Sequence, residues 1–270
     1  MSRRPARPPA GAVGSVRAGA AYCRVVPVPD GVPPTALVTG ASGAVGAAVA
    51  AHLSARGFAV GLHAHGGRDA AEELAATLPG PTAVVTADVA DAAAVEGAVE
   101  EVAGRLGPVG VLVTCAGVRV DGLLSAQDPE VWTRTVAVNL LGTFHACRAV
   151  LPAMLRARAG RIVAVTSPTA TQGRSGQTAY GASKAGVEGL VRSLAREVGR
   201  RQVTVNALSP GFIESTINAS LPDEVVDELR GRTDLGRFAV PDDVLPALDM
   251  LVDSPYVTGQ VVGVDGGIRL

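Results

Sequence analysis

From residue 35 onward, short Val-rich runs alternate with longer Ala-rich stretches, and this alternation constrains the fold more than any single residue. The apolar runs fall at 35–40, 59–64, 82–88, 109–117, 161–167, 203–209 and 259–267. They do not strictly alternate between apolar and polar residues, which is the pattern of strands covered on both faces. Residues 44–56, 68–78, 91–106, 130–157, 178–200 and 241–253 read as helices. Strand then helix, repeated along the chain, predicts an α/β fold: a doubly wound, Rossmann-type parallel sheet of about seven strands, with helices on both faces and right-handed crossovers. One domain over 34–270 accommodates it.

Bulk properties agree with that class. The 270 residues are 47% hydrophobic with a net charge of -1, which suits a large core and argues for no nucleic-acid partner. Uninterrupted apolar runs such as GVLVTCAGV fall short of the roughly 20 residues that span a bilayer, so no membrane segment is expected. Cys23, Cys115 and Cys147 are odd in number and lack metal-ligand spacing. They fit a reducing, cytoplasmic setting with no metal. Residues 1–33 are rich in Pro, Gly, Ala and Arg and carry no acid before Asp30, which predicts a flexible extension. An Arg-rich, acid-poor start is also the look of an organelle transit peptide or of an overlong start. A basic nucleic-acid arm would interleave several aromatic residues with its arginines, and residues 1–33 hold a single one, Tyr22.

Doubly wound folds bind ligands beyond the carboxyl ends of their strands. The first strand-to-helix turn, TGASGAVG, holds Gly40, Ala41, Ser42, Gly43 and Gly46, and glycines there let backbone N–H groups approach a pyrophosphate at a helix N-terminus. A tight turn with close helix packing would look the same. At the tip of the second strand an acidic residue would bind the ribose 2′-hydroxyl of NAD(H). Ala64 and His65 stand there instead, with Arg68 close behind, which favours NADP(H). Arg68 could equally decorate the next helix.

The stretch TAYGASKAG places Tyr180 and Lys184 four residues apart, hence on one helix face if helical. The pair is a candidate acid with a cation to tune it, or a surface pair whose polar tips reach solvent. A cation beside the phenol would favour phenolate, and a downward shift of about three pKa units corresponds to about 4 kcal/mol.

TGASGAVG, ADV at 87–89, CAG at 115–117, Asn139 in VAVNLLGTF, Ser167, YGASK at 180–184 and SPGFIEST at 209–216 occur in order. Together they make residues 35–270 resemble the short-chain dehydrogenase/reductase family. The resemblance implies that Tyr180 gives a proton to the developing alkoxide, Lys184 tunes it and binds the nicotinamide ribose, and Ser167 hydrogen-bonds the substrate oxygen. It implies that Asn139 holds a water through its backbone carbonyl, although an Asn satisfying a kinked helix would look alike. It further implies cofactor contacts from Asp88 and Val89 on the adenine side, Cys115, Ala116 and Gly117 beside them, and Pro210, Gly211 and Ile213 on the nicotinamide side. Two departures stand out: Ala44 replaces a usual glycine, with Gly43 one place earlier, and Thr114-Cys115 replaces Asn-Asn. Cys115 reads as a small buried thiol rather than a reactive one.

Within the family, AGVRVDGLLSAQDPEVW and GQTAYGASKAGVEGLVRSLAREV look most like 3-oxoacyl-acyl-carrier-protein reductases and polyketide ketoreductases. That likeness implies reduction of a 3-oxoacyl thioester, Arg158 and Arg201 as docking residues for an acidic carrier protein, a homotetramer, and a substrate lid at 212–236. A dehydrogenase of a free secondary alcohol on the same fold, or a non-catalytic dinucleotide sensor, are the alternatives.

Overall fold

A computed structural model describes residues 33–214 and 223–270. The N-terminal extension up to residue 32, and residues 215–222 of the expected lid, lie outside them. Strands β1 (Thr35–Thr39), β2 (Ala59–Ala64), β3 (Thr82–Thr86), β4 (Val109–Thr114), β5 (Gly160–Val165), β6 (Val203–Pro210) and β7 (Val261–Val264) form one sheet. Its order is β3-β2-β1-β4-β5-β6-β7, and every pairing is parallel. Helices α1 (Ala44–Ala55), α2 (Arg68–Thr77), α3 (Ala92–Leu106), α4 (Pro129–Val136), α5 (Gly142–Ala157), α6 (Thr169–Gln172), α7 (Thr178–Val198), α8 (Asp223–Gly231) and α9 (Leu245–Asp253) complete the described elements.

Burial on both faces explains why the strand sequences do not alternate: β1, β2 and β4 are buried throughout. On one face Val102, Met154 and Val191 pack on Leu112, Ile162 and Val205. On the other, Val49, Leu53, Leu248 and Leu251 meet Val38, Val60 and Val113. Each such fully buried side chain contributes about 1.5–3 kcal/mol of transfer free energy, so the two apolar layers hold the sheet between them.

Three differences from the sequence reading have physical causes. The stretch 130–157 is one continuous helical run, but a π turn at Ala137–Leu141 separates α4 from α5. This 29-residue run, Pro129–Ala157, is long enough to cross a bilayer, with a mean hydropathy of 1.3, a length that the short apolar runs did not suggest. Its Val138, Ala146, Cys147, Val150 and Met154 are buried in the domain core. Helices α6 and α8 were not expected, because one is only four residues long and the other carries acidic and basic residues around a short apolar stripe.

Candidate active site

The order of the sheet brings β1 beside β4, so their carboxyl ends open a crevice between connections that leave to opposite faces. Gly40 ends β1 with φ +67°, and a Cβ there would lie 2.7 Å from the Ala116 backbone. Gly46 sits in the first turn of α1, where a Cβ would lie 2.2 Å from the Gly40 carbonyl oxygen. These two glycines let the turn fold back on its helix. Gly43 caps α1 without a side-chain bond, which leaves first-turn N–H groups available to an anion.

Gly40, Ser42, Gly43, His65, Asp88, Val89, Cys115, Ala116 and Gly117 line one cavity of about 250 Å³. The structure thus gathers nine of the expected cofactor residues, while Ala41 is buried behind the turn. Arg68, the candidate for a ribose phosphate, is paired with Glu72 at 2.7 Å.

Two polar side chains of this cavity, His63 and Arg134, were not anticipated. Buried His63 accepts a hydrogen bond from Gly40 N–H at Nδ1 (3.4 Å), and its Nε2 lies 3.1 Å from the Ala87 carbonyl. Burial pushes its pKa down, so it stays neutral, and the two partners place its proton on Nε2. Arg134 lies 2.8 Å from Asp88 and holds that carboxyl below its usual range. His63 was overlooked because it reads as a strand residue, and Arg134 because it reads as one arginine on a helix.

At the Thr114-Cys115 departure the backbone is held by β1. Cys115 N–H donates to the Thr39 carbonyl (3.1 Å) and Ala116 N–H to the Thr39 hydroxyl (3.2 Å). Buried Thr114 Oγ1 has no partner among the described residues. Burial pushes the Cys115 and Cys147 thiols up to about 12, so neither offers a thiolate near neutrality.

A second cavity, of about 180 Å³, lies beyond β5 and β6. Ser167, Tyr180, Pro210, Gly211 and Ile213 line it together. Ser167 hydrogen-bonds the Tyr180 phenol, while its oxygen also accepts from Thr169 N–H at 3.3 Å. Lys184 is buried behind the tyrosine, with Nζ 5.8 Å from the ring centroid and donating to the Val165 carbonyl at 2.8 Å. Asn139 is fully buried in the π turn. Its Oδ1 accepts from Val118 N–H (2.8 Å), and its Nδ2 donates to the Val118 carbonyl and to Ser183 Oγ (both 3.0 Å). Its own carbonyl accepts from Thr143 Oγ1 at 2.8 Å. Gln177, just before α7, ties Thr169 to Asp121 and was missed because a lone glutamine in a loop carries no pattern.

The expected electrostatics need one correction. Burial raises the Tyr180 pKa and outweighs the lowering effect of the Ser167 hydrogen bond, so the phenol is not drawn toward neutrality. Lys184 is itself pushed down to about 8 by burial. A protonated phenol is the form a proton donor needs, and Lys184 retains its charge below about pH 8. The carrier-docking candidates also lie elsewhere: Arg158 follows α5 just before β5, its guanidinium on the Arg200 carbonyl at 3.1 Å, and Arg201 precedes β6. Both are at the amino edge of the sheet, a strand length of about 20 Å from the cavity at the carboxyl edge.

A parallel sheet with a glycine-rich first turn at its switch point, and a phenol before a buried ammonium in the adjoining cavity, define a dinucleotide-dependent oxidoreductase. The chain belongs to the short chain dehydrogenase family, whose profile matches residues 34–225. It is 37% identical over 236 residues to the 3-oxoacyl-[acyl-carrier-protein] reductase FabG of Thermotoga maritima, covering 86% of this chain and 96% of that one. It is 38% identical over 233 residues to the bovine 3-oxoacyl-[acyl-carrier-protein] reductase, covering 86% and 97%. The crystal structure of the 3-oxoacyl-[acyl-carrier protein] reductase of Brucella melitensis superimposes with a TM-score of 0.82 at 30% identity, over 88% of this chain and 92% of that one.

Proposed function

We propose that the protein is an NADPH-dependent ketoreductase that converts a 3-oxoacyl thioester, carried on acyl carrier protein, to the 3-hydroxyacyl product. The observation that carries this reading is the lining of one cavity by Ser167 and Tyr180, with the Lys184 ammonium behind them and the glycine-turn cavity along the crevice. Close likeness over nearly whole chains to reductases of that name supports the substrate class.

The glycine turn fits a dinucleotide, since Gly40 and Gly46 clear the space that side chains would fill. Gly40, Ala41, Ser42, Gly43 and Gly46 would hold its pyrophosphate, His65 the adenosine ribose, Asp88 and Val89 the adenine, and Pro210, Gly211 and Ile213 the nicotinamide. Bound there, the cofactor supplies hydride to the carbonyl carbon. Ser167 hydrogen-bonds the carbonyl oxygen as charge grows on it, and Tyr180 passes its phenolic proton to that oxygen. Lys184 stabilises the phenolate left behind, which matters most in a site where burial disfavours that anion. Asn139 is a positioning residue: it pins the Val118 segment to Ser183, whose hydroxyl donates to the Tyr180 carbonyl at 2.7 Å.

Two outcomes follow. The rate of reduction should be level below about pH 8 and fall above it as Lys184 loses its charge, measured as kcat against pH. An unchanged rate well above that value contradicts the role given to the ammonium. Docking of a carrier through Arg158 and Arg201 serves the cavity only across subunits of an assembly, because within one chain they sit at the opposite edge of the sheet. The proposed homotetramer would cover Leu141 and Phe144, each 45% exposed, beside a groove lined by Leu151 and Leu190. Arg158→Glu with Arg201→Glu is then expected to raise KM about tenfold for the carrier-bound substrate and not for a small thioester. Equal effects on both substrates would remove the docking role. A cytoplasmic location suits the proposed chemistry. Tight NADPH binding without turnover of any ketone would instead support the sensor alternative.

A further inference from the structure

The cavity that holds Ser167 and Tyr180 is also lined by two arginines, Arg119 and Arg174. Arg119 is matched: its Nε lies 3.4 Å from Asp121, whose carboxylate also accepts from Gln177 Nε2 at 3.1 Å. Arg232, which lies outside the lining, is matched by Glu228 at 2.6 Å. Arg174 is different. Among the described residues its guanidinium has no ion pair and no hydrogen bond, and it lies 5.1 Å over the Phe212 ring. Residues 215–222, STINASLP, contain no acid that could pair with it.

Stacking on Phe212 engages the face of the guanidinium and leaves the N–H donors, which lie in its plane. The group is half-buried, and burial lowers its pKa, with Arg119 and Arg232 acting in the same direction and Asp121 and Glu228 opposing. A desolvated cation with uncommitted donors on the wall of a reaction cavity is a site for a carboxylate or phosphate.

We propose that Arg174 makes this cavity selective for 3-oxoacyl substrates whose acyl chain ends in an anionic group, in the simplest case a carboxylate. The inference rests on the ketoreductase reading and deepens it. The cavity of about 180 Å³ has room for about six water-sized groups, enough for a short acyl chain. A pantetheine phosphate lies two amide groups away from the thioester. It cannot share that space while the ketone is at Tyr180. The anion therefore belongs to the acyl end.

The test compares three N-acetylcysteamine thioesters with NADPH: the 3-oxoadipyl half-thioester, its terminal methyl ester, and the 3-oxobutanoyl thioester. Coenzyme A versions introduce phosphate on the carrier side. The free carboxylate is expected to have a kcat/KM about 10- to 100-fold above that of its methyl ester, mainly through KM, the size of one charge-assisted hydrogen-bonding contact. Arg174→Gln should bring that ratio to about one and Arg174→Lys should restore part of it, with NADPH binding used to show that both variants are folded. A wild-type ratio near one overturns the inference, as does a ratio that survives in Arg174→Gln. A preference that follows the coenzyme A phosphates instead of the acyl end overturns it too. Equal turnover of all thioesters removes the inference alone, whereas turnover of none removes the ketoreductase reading with it.

Discussion

Replacing Tyr180 by Phe is expected to lower kcat for ketone reduction by about 10²- to 10⁴-fold while leaving NADPH binding nearly intact. The substitution keeps the ring and its packing on α7 and deletes only the hydroxyl that Ser167 meets across the cavity. Burial holds the wild-type phenol in its protonated form, so what is lost is a proton donor, and water in a site of this size replaces it poorly. Steady-state kinetics with a 3-oxoacyl thioester, alongside fluorescence titration with NADPH, separate the two effects. A variant that keeps a tenth or more of the wild-type kcat would show that the proton comes from elsewhere.

Asn139→Ala is expected to be the most damaging single change to stability within the site. The side chain is fully buried and satisfies both backbone groups of Val118 as well as Ser183 Oγ. Alanine leaves the Val118 N–H, the Val118 carbonyl and Ser183 Oγ without these partners; because Val118 is 39% exposed, each lost bond costs the net value of about 0.5–1.5 kcal/mol rather than a full burial penalty. The total for the three bonds, about 1.5–4.5 kcal/mol, corresponds to a melting temperature lowered by about 3–18 °C for a domain of this size. Calorimetry and urea titration measure it directly. A loss below about 1 kcal/mol would mean that water or a shift of the 117–118 segment satisfies those groups, and Asn139 would then not be what positions Ser183 and Tyr180.

The sheet was legible because its strands are buried on both faces: a run such as ALVT or GVLV has few alternatives once helices of suitable length separate the runs. The glycine turn and the Tyr180–Lys184 spacing were legible for a related reason, since backbone approach and one-face placement both depend on residue type at fixed intervals. What sequence could not convey is chemistry set by three-dimensional neighbours. The π turn around Asn139 is held by hydrogen bonds to a segment 21 residues away, and nothing in VAVNLL announces it. His63 and Arg134 act through partners on other elements, Ala87 and Asp88. The spacing of Tyr180 and Lys184 set the pair on one face, but the sign of the phenol's shift depended on burial, which spacing does not encode. Resemblance offered Arg158 and Arg201 as docking residues without saying where they sit relative to the cavity; the topology places them at the far edge of the sheet.

The most direct test of the account follows the transferred hydrogen. The full chain is incubated with 3-oxobutanoyl thioester and NADPH deuterated at the transferring position of the nicotinamide, and the product is analysed by mass spectrometry and NMR. The account predicts a 3-hydroxybutanoyl thioester with one deuterium on C3, formed by the wild type and not detectably by Tyr180→Phe. Bound cofactor with no labelled product, or label anywhere other than C3, would contradict it.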